Sequence, residues 1–363
     1  MPSPAGAPTR GGAPATGPDP VLDDEPALRL YRQMVLIRRF EERAARAYTE
    51  AKVGGYCHLN LGEEATVVAL MAALDRTDYL FTNYREHGYA IARGIDPGRV
   101  MAELYGRTDG VSRGWGGSMH LFDVESRLMG GYGIVGGQIP LATGAALAID
   151  YRDDDQVVMC LMGDGATNIG AFHESLNLAA LWNLPIVYVV VNNGRGMGTS
   201  VEQASAEPEL FRRASSYRMP SSRVDGNDPE AVYEAAIEAI GTARSGQPCL
   251  LETVSGRLKG HSVVDPAKYR DRAETEALMA ADPVAAFAAR LRERGVLGDA
   301  LSAEIDSEVT TVVEAAAAFA EASPLPDVAT LFDHTYATPV RNDSRRLPGQ
   351  PLFPIGASMG APA

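Results

Sequence analysis

Two stretches of the chain set oxygen-bearing side chains directly after apolar runs, where a buried strand should end. In "MCLMGDGATNIG" the apolar run gives way to Asp164 between two glycines. In "PIVYVVVNNGRGMG" the run gives way to Asn192 and Asn193. Ligands of open parallel sheets bind beyond the carboxyl ends of the strands. The glycines flanking Asp164 leave backbone N–H groups bare, and a helix start behind them attracts anions such as phosphate. A carboxylate repels phosphate unless a cation lies between them. A hard divalent cation such as Mg2+ takes oxygen ligands and bridges to phosphates. Asp164 and the amide oxygen of Asn193, on neighbouring parallel strands, would supply such ligands together. Taken singly, GDG and NN are ordinary turn sequences; at consecutive strand ends they are specific. Competing phosphate motifs fail. "GDGATNIG" spaces its glycines GxGxxxxG rather than GxGxxG, no acidic residue closes a strand about 20 residues on, and "GRGMGTS" lacks a P-loop lysine.

The elements that would carry these residues alternate. "QVVMCLM" is a buried strand and "AFHESLNLAALW" a helix with Phe172, Leu176 and Ala179 on one face. "PIVYVVV" is again a buried, β-branched strand. "DPEAVYEAAIEAI" opens a helix with Asp228 as N-cap and Pro229 at the first helical position. "PCLLETVS" is a further strand. Strand–helix–strand alternation predicts an α/β fold, a parallel sheet flanked by helices. Upstream, Leu30, Met34, Ile37 and Phe40 recur at helical spacing in "ALRLYRQMVLIRRFEERAARAYTE". Downstream of about Asp282 come two amphipathic helices, "PVAAFAARLRERG" and one near "DSEVTTVVEAAAAFAEA". Between them, from about Gly54 to Gly144, "RGWGGSMH" and "GGYGIVGGQIP" are so glycine-rich that loops in close backbone approach are expected. No internal repeat is present. Residues 1–24 form a Pro/Gly/Ala-rich tail, 25–338 a single α/β domain with N- and C-terminal helical extensions, and 339–363 a Pro-rich tail.

The bulk numbers exclude several function classes. With 363 residues the chain can bury a real core. Its 45% hydrophobic and 22% charged content is that of a soluble globular protein. A net charge of −14 argues against nucleic-acid and anionic-membrane binding, which need a basic face. No apolar run approaches the roughly 20 residues of a membrane span, and the N-terminus lacks a signal-peptide core. Cys57, Cys160 and Cys249 are scattered, so neither a disulfide framework nor a zinc site is expected, and a cytoplasmic location fits.

GDG followed by NN about 30 residues later resembles the thiamin diphosphate motif. The wider stretch "GDGATNIGAFHESLNLAALWNLPIVYVVVNNGRGMGTS" resembles the α subunit of the E1 component of 2-oxo acid dehydrogenases. The likeness runs from about Tyr31 to Arg272 and includes "YCHLNLGEEA", "TNYREHGYAIARG", "GGSMHLF", "GGYGIVGGQIPLATGAALA" and "KGHSVVDPAKYR". It implies the thiamin diphosphate-binding fold, with thiamin diphosphate and Mg2+ as cofactors. Asp164, Asn193 and the backbone oxygen of Arg195 would hold the metal. Backbone at Gly165 and Ala166, with Tyr84 and Arg85, would hold the diphosphate; arginine suits its planar recognition. Backbone at Gly133 and Val135 would meet the aminopyrimidine. His261 would lie over the cofactor and His58 at the substrate entrance, both candidates for catalysis because imidazole titrates near neutrality. Of the other four histidines, His87 and His120 sit in family blocks where structural roles are as plausible, His173 faces a helix surface, and His334 lies outside the likeness.

The resemblance implies oxidative decarboxylation of a 2-oxo acid with acyl transfer to the lipoyl domain of an E2 acyltransferase. It also implies a second, E1 β subunit in an α2β2 heterotetramer, since the family places the cofactor-activating glutamate there. "MGTSVEQASAEPELF" is most like the pyruvate type. Acetoin-cleaving and branched-chain relatives are the alternatives, and a non-catalytic scaffold subunit is the alternative from another class. Departures from the family pattern are Arg195 for a frequent tyrosine, Trp115 for a basic residue, Lys259 before Gly260, and Ile169 for a glutamine near the reaction centre. Ser262 matches a serine phosphorylated in mammalian relatives, but Lys268 stands at the second such position, so no phosphorylation control is expected.

Overall fold

The computed structural model describes residues 22–331. The chain divides into two units, Met1–Leu325 and Pro326–Ala363; of the second, one 3-10 turn at Val328–Thr330 is described. Nearly all of the two expected tails, and His334, lie outside the described residues.

The first unit is built on a parallel sheet. Its strands are β1 (Tyr79–Asn83), β2 (Leu128–Tyr132), β3 (Val158–Gly163) and β4 (Ile186–Asn192). A two-stranded hairpin, β5 (Arg195–Gly196) and β6 (Thr199–Ser200), stands apart, and β7 (Ser221–Asp225) and β8 (Cys249–Val254) complete the sheet in the order β2-β1-β3-β4-β8-β7. All its pairings are parallel. β3 and β4 are direct neighbours, with Gly163 opposite Val191, as the alternation predicts.

Both faces of the sheet are covered, which is why β3 and β4 read as unbroken apolar runs. Side chains alternate across the strands. Met159, Leu161, Val187, Val189 and Leu251 enter one core, while Val158, Cys160, Met162, Tyr188 and Val190 enter the other. On the first face lie α1 (Asp24–Thr49) and α2 (Glu64–Ala73), followed by α3 (His87–Ala92) and α4 (Pro97–Leu104). The second face carries α5 (Gln138–Arg152) and α6 (Gly170–Trp182). The remaining helices are α7 (Val201–Ala204), α8 (Pro229–Arg244), α9 (Arg272–Ala280), α10 (Pro283–Glu293) and α11 (Asp299–Ala322). Leu30, Met34, Ile37 and Phe40 form the buried stripe of α1.

The glycine-rich middle departs from expectation. Residues 54–144 hold β1, β2, α2, α3, α4 and the start of α5 rather than being mostly loop. The two edgeward strands are short, and β2, "LMGGY", carries two glycines where most strands carry branched residues. Gly131 must be glycine because a Cβ there would lie 2.0 Å from the carboxyl of Glu86, a fully buried acid. Close approach is therefore the right physics, but it happens inside a strand.

Helix starts are well specified. Asp96, Asp228 and Asp282 each precede a proline and accept hydrogen bonds from backbone N–H groups of the first turn. Two of these caps also take an arginine fork: Arg290 on Asp228 at 2.8 and 2.7 Å, and Arg38 on Asp282 at 2.8 and 2.9 Å. These forks tie α8 to α10 and α10 to α1.

Candidate functional site

Five consecutive strands deliver their carboxyl ends to one place. β1 ends into Asn83, Tyr84 and Arg85; β2 into Gly133 and Val135; β3 into Asp164; β4 into Asn193; and β8 leads to Arg257 and His261. They surround a cavity of about 740 Å³. All eleven residues singled out from the sequence line it: His58, Tyr84, Arg85, Gly133, Val135, Asp164, Gly165, Ala166, Asn193, Arg195 and His261. The cavity opens where ligands of parallel sheets bind, beyond the strand ends.

One wall is rich in oxygen. Asp164 opens a 3-10 turn straight after β3 and is 6% exposed. Burial pushes its carboxyl up to about 6. Such a group favours a cation partner, since a neighbouring positive charge offsets the cost of burying the ionised form. Asn193 follows β4, and the Arg195 carbonyl belongs to the β5–β6 hairpin. The hairpin folds back over the GDG turn, and a Cβ on Gly196 would sit 4.0 Å from Asp164 Oδ2. Gly165 has open space where a Cβ would point, so its backbone can approach a ligand.

Arg257, buried in the loop after β8, reports on this arrangement. Its Nη1 donates to Asn193 Oδ1 at 2.9 Å and to the Arg195 carbonyl at 2.7 Å. The two oxygens thus face one point closely enough to share a cationic donor. Together with Asp164 they make a carboxylate, an amide and a carbonyl, the hard donor set that a Mg2+ ion accepts. Among the described residues there is no cluster of three or more His, Cys, Asp or Glu able to hold a metal.

A second group of lining side chains is cationic and aromatic. Arg85 is 5% exposed; its Nη1 donates to the Leu59 carbonyl at 2.5 Å and its Nη2 to the His261 carbonyl at 2.9 Å. Arg85 therefore holds the two histidine-bearing loops together as well as lining the cavity. The His58 ring lies 4.4 Å from the Tyr84 ring and 5.0 Å from that of His261. Burial, then the charge of Arg85, lowers His58 to about 3; burial, then Arg85 and Arg257, lowers His261 to about 4. Both imidazoles are neutral at physiological pH, and Nδ1 of each is buried with no hydrogen-bond partner.

Arg257 and Glu63 were not singled out in the sequence. Arg257 is 2% exposed and is the second guanidinium of the cavity. Its signal was available: an arginine just beyond an apolar strand, where an anion site was already suspected. Glu63 carries a weaker signal, because nothing in "LGEEA" says which of two adjacent glutamates turns inward. In the fold, Glu63 lines the cavity, while Glu64 binds Arg38 behind it.

Ile169 does not line the cavity. Its Cδ1 sits behind the wall, where a Cβ on Gly136 would come within 2.0 Å, and Gly136 has a φ of +73°. Ile169 therefore shapes the Gly133–Gly137 loop from behind. His87 is wholly structural: Glu41 Oε2 lies 2.9 Å from Nδ1, and the Ser118 carbonyl and hydroxyl lie 3.0 and 2.9 Å from Nε2. His173 is exposed and meets the Tyr217 hydroxyl at 2.7 Å.

Comparison with known proteins follows this geometry. The family described as "Dehydrogenase E1 component" matches residues 32–329. The pyruvate dehydrogenase E1 component subunit alpha of Rhizobium meliloti (strain 1021) is 46% identical over 310 residues, 85% of this chain and 89% of that protein. The protein of the same name from Rickettsia felis is 39% identical over 313 residues, 86% of this chain and 96% of its own. The chloroplastic subunit alpha-3 from Arabidopsis thaliana is 39% identical over 322 residues, 87% of this chain and 75% of its own.

Proposed function

The chain belongs to the dehydrogenase E1 component family, and on that premise we propose that it is the α subunit of a pyruvate dehydrogenase E1 component. The observation that carries the reading is the meeting of the Asp164–Asn193–Arg195 oxygens with the guanidinium groups of Arg85 and Arg257 around one cavity. Oxygen ligands and guanidinium groups around one cavity suit a diphosphate bridged by a divalent cation. Asp164, Asn193 and the Arg195 carbonyl would hold Mg2+. Backbone N–H groups of Gly165 and Ala166, with Tyr84, Arg85 and Arg257, would hold the diphosphate, and the backbone of Gly133 and Val135 the ring end. Bound there, thiamin diphosphate supplies the electron sink that loss of carbon dioxide from a 2-oxo acid requires.

The chain's own residues do the rest. His58 and His261 present neutral imidazoles, which donate or accept a hydrogen bond at a substrate oxygen without adding charge to a cationic wall. Tyr84 packs against both rings and fixes their separation. Arg85 holds the loops of both histidines through its carbonyl contacts. Tyr56, Met197 and Val264 form an apolar rim of large, exposed side chains at the cavity.

A β subunit completes the site. Ile134 and Val135 at the cavity edge are 80% and 48% exposed. From there an apolar stripe continues along α5 through Leu141, Leu147 and Tyr151, and Leu181 and Trp182 of α6 are exposed beside it. Exposed apolar surface on this scale marks a partner site. The product acyl group would pass to the lipoyl domain of an E2 acyltransferase. Three free, buried cysteines fit a reducing compartment such as the cytoplasm. Among the described residues no helix is long and apolar enough to cross a membrane. The deciding assay is pyruvate decarboxylation by the full chain, alone and co-expressed with its β partner. Activity is expected only from the pair, and only with thiamin diphosphate and Mg2+; full activity from the lone chain overturns the assignment.

A further inference from the structure

Among the buried polar groups at the cavity, Glu63 has no part in the chemistry described so far. It is 2% exposed and stands at the start of α2. Its Oε1 accepts a hydrogen bond from Asn193 Nδ2 at 2.9 Å. Its Oε2 accepts one from Asn60 Nδ2 at 3.2 Å and lies 3.9 Å from Arg85 Nε. Asn60 is itself anchored: its Oδ1 takes the Gly88 N–H at 3.0 Å and its N–H donates to Glu41 Oε1 at 3.0 Å. Glu63 is thus rooted in a buried network that runs back into the core.

We propose that Glu63 is a positioning residue that fixes the Asn193 amide with its oxygen turned toward the metal. This rests on the functional assignment above. A carboxylate accepts and a guanidinium donates. Glu63 on one side and Arg257 on the other therefore choose the same amide orientation; the flipped amide would set oxygen against carboxylate and NH2 against guanidinium. The two neighbours differ in one respect. Arg257 Nη1 occupies Asn193 Oδ1, the atom the metal needs. Glu63 holds Nδ2, which ligation leaves untouched. When a cation takes Oδ1, Glu63 is the one of the pair that still holds the amide. Its carboxylate also lies 3.9 Å from Arg85 Nε, so one acid neighbours both the Asn193 amide and a guanidinium of the diphosphate side.

The test uses the full chain co-expressed with its β partner, with Mn2+ standing in for Mg2+. Free Mn2+ is read by electron paramagnetic resonance in the presence of thiamin diphosphate, a binding readout independent of turnover. Removing groups that orient metal ligands costs about 10–100-fold in affinity. Glu63→Ala is expected to weaken Mn2+ by that factor, whereas Glu63→Gln, which keeps an acceptor oxygen for Nδ2, stays within a few-fold of wild type. A reciprocal pair guards against a folding defect. Asn193→Asp sets two carboxylates face to face and loses Mn2+; adding Glu63→Gln supplies a donor to the inner aspartate oxygen and restores at least about tenfold. Unchanged Mn2+ affinity in folded Glu63→Ala, or no recovery in the double variant, overturns the proposal. A wild-type complex that takes up no Mn2+ with the cofactor sinks the functional assignment instead.

Discussion

His58 and His261 set the pH behaviour of the site. A free imidazole titrates near 6.5, and the native values fall to about 3 and about 4. Below pH 6.5 the unfolded chain takes up protons that the folded chain refuses, so stability is lost as pH falls from 6.5 toward 4. The melting temperature should drop over that window, and less steeply in His58→Gln, which removes one titrating group; a parallel drop in both would refute the argument. The kcat/KM profile of the assembled enzyme should likewise show no histidine limb near 6.5. At the same scale, thiamin diphosphate with Mg2+ should raise the melting temperature of the wild-type complex by ligand linkage. Asp164→Asn should abolish that rise. Arg257→Met removes a hydrogen-bonding cation from the cavity, and such bonds contribute about 1.5–3 kcal/mol. The half-saturating cofactor concentration should rise by roughly 10- to 100-fold, read by titration calorimetry.

Glu103 organises the loop that leads into β2. It lies on α4 at 0% exposure, and its carboxylate accepts four backbone N–H groups: Ser112 at 2.8 Å, Gly114 at 2.8 Å, Gly116 at 2.7 Å and Gly117 at 3.1 Å. This explains "VSRGWGG", since a Cβ on Gly116 would strike the His120 carbonyl and one on Gly114 the Gly106 backbone. Glu103→Leu keeps the bulk but strands four donors, each worth about 1–3 kcal/mol when buried unpaired. A loss of about 3 kcal/mol or more is expected in urea unfolding, with faster tryptic cleavage at Arg113. Wild-type cleavage kinetics in the variant would show that the loop holds itself.

Across the molecule, the cavity is walled by five strand ends, and an apolar stripe leaves its rim along α5 with α6 beside it. Leu141 is 52% exposed, so Leu141→Glu should leave the melting temperature of the lone chain within about 0.5 kcal/mol equivalent of wild type. Co-purification with the β partner and pyruvate decarboxylation should both fail. Retained assembly would place the partner on another face.

Much of this was legible in the residues. "MCLMGD" and "PIVYVVVNN" each carry a strand and its polar end in one continuous stretch, and the strand–helix–strand alternation predicted the parallel sheet in which β3 and β4 are neighbours. The blocks around them implied the family, which the comparisons bear out. Residues 54–144 were harder, because "YLFTN" is only five residues long and "LMGGY" carries two glycines, and the strand character of "LMGGY" comes from pairing with β1 rather than from propensity. Tertiary structure alone decided which of two adjacent glutamates turns inward, that Arg257 comes back onto the Asn193 and Arg195 oxygens, and that Ile169 stands behind the wall instead of in it. Each depends on contacts between segments far apart in the chain, and sequence spacing carries no information about the angle at which distant elements meet.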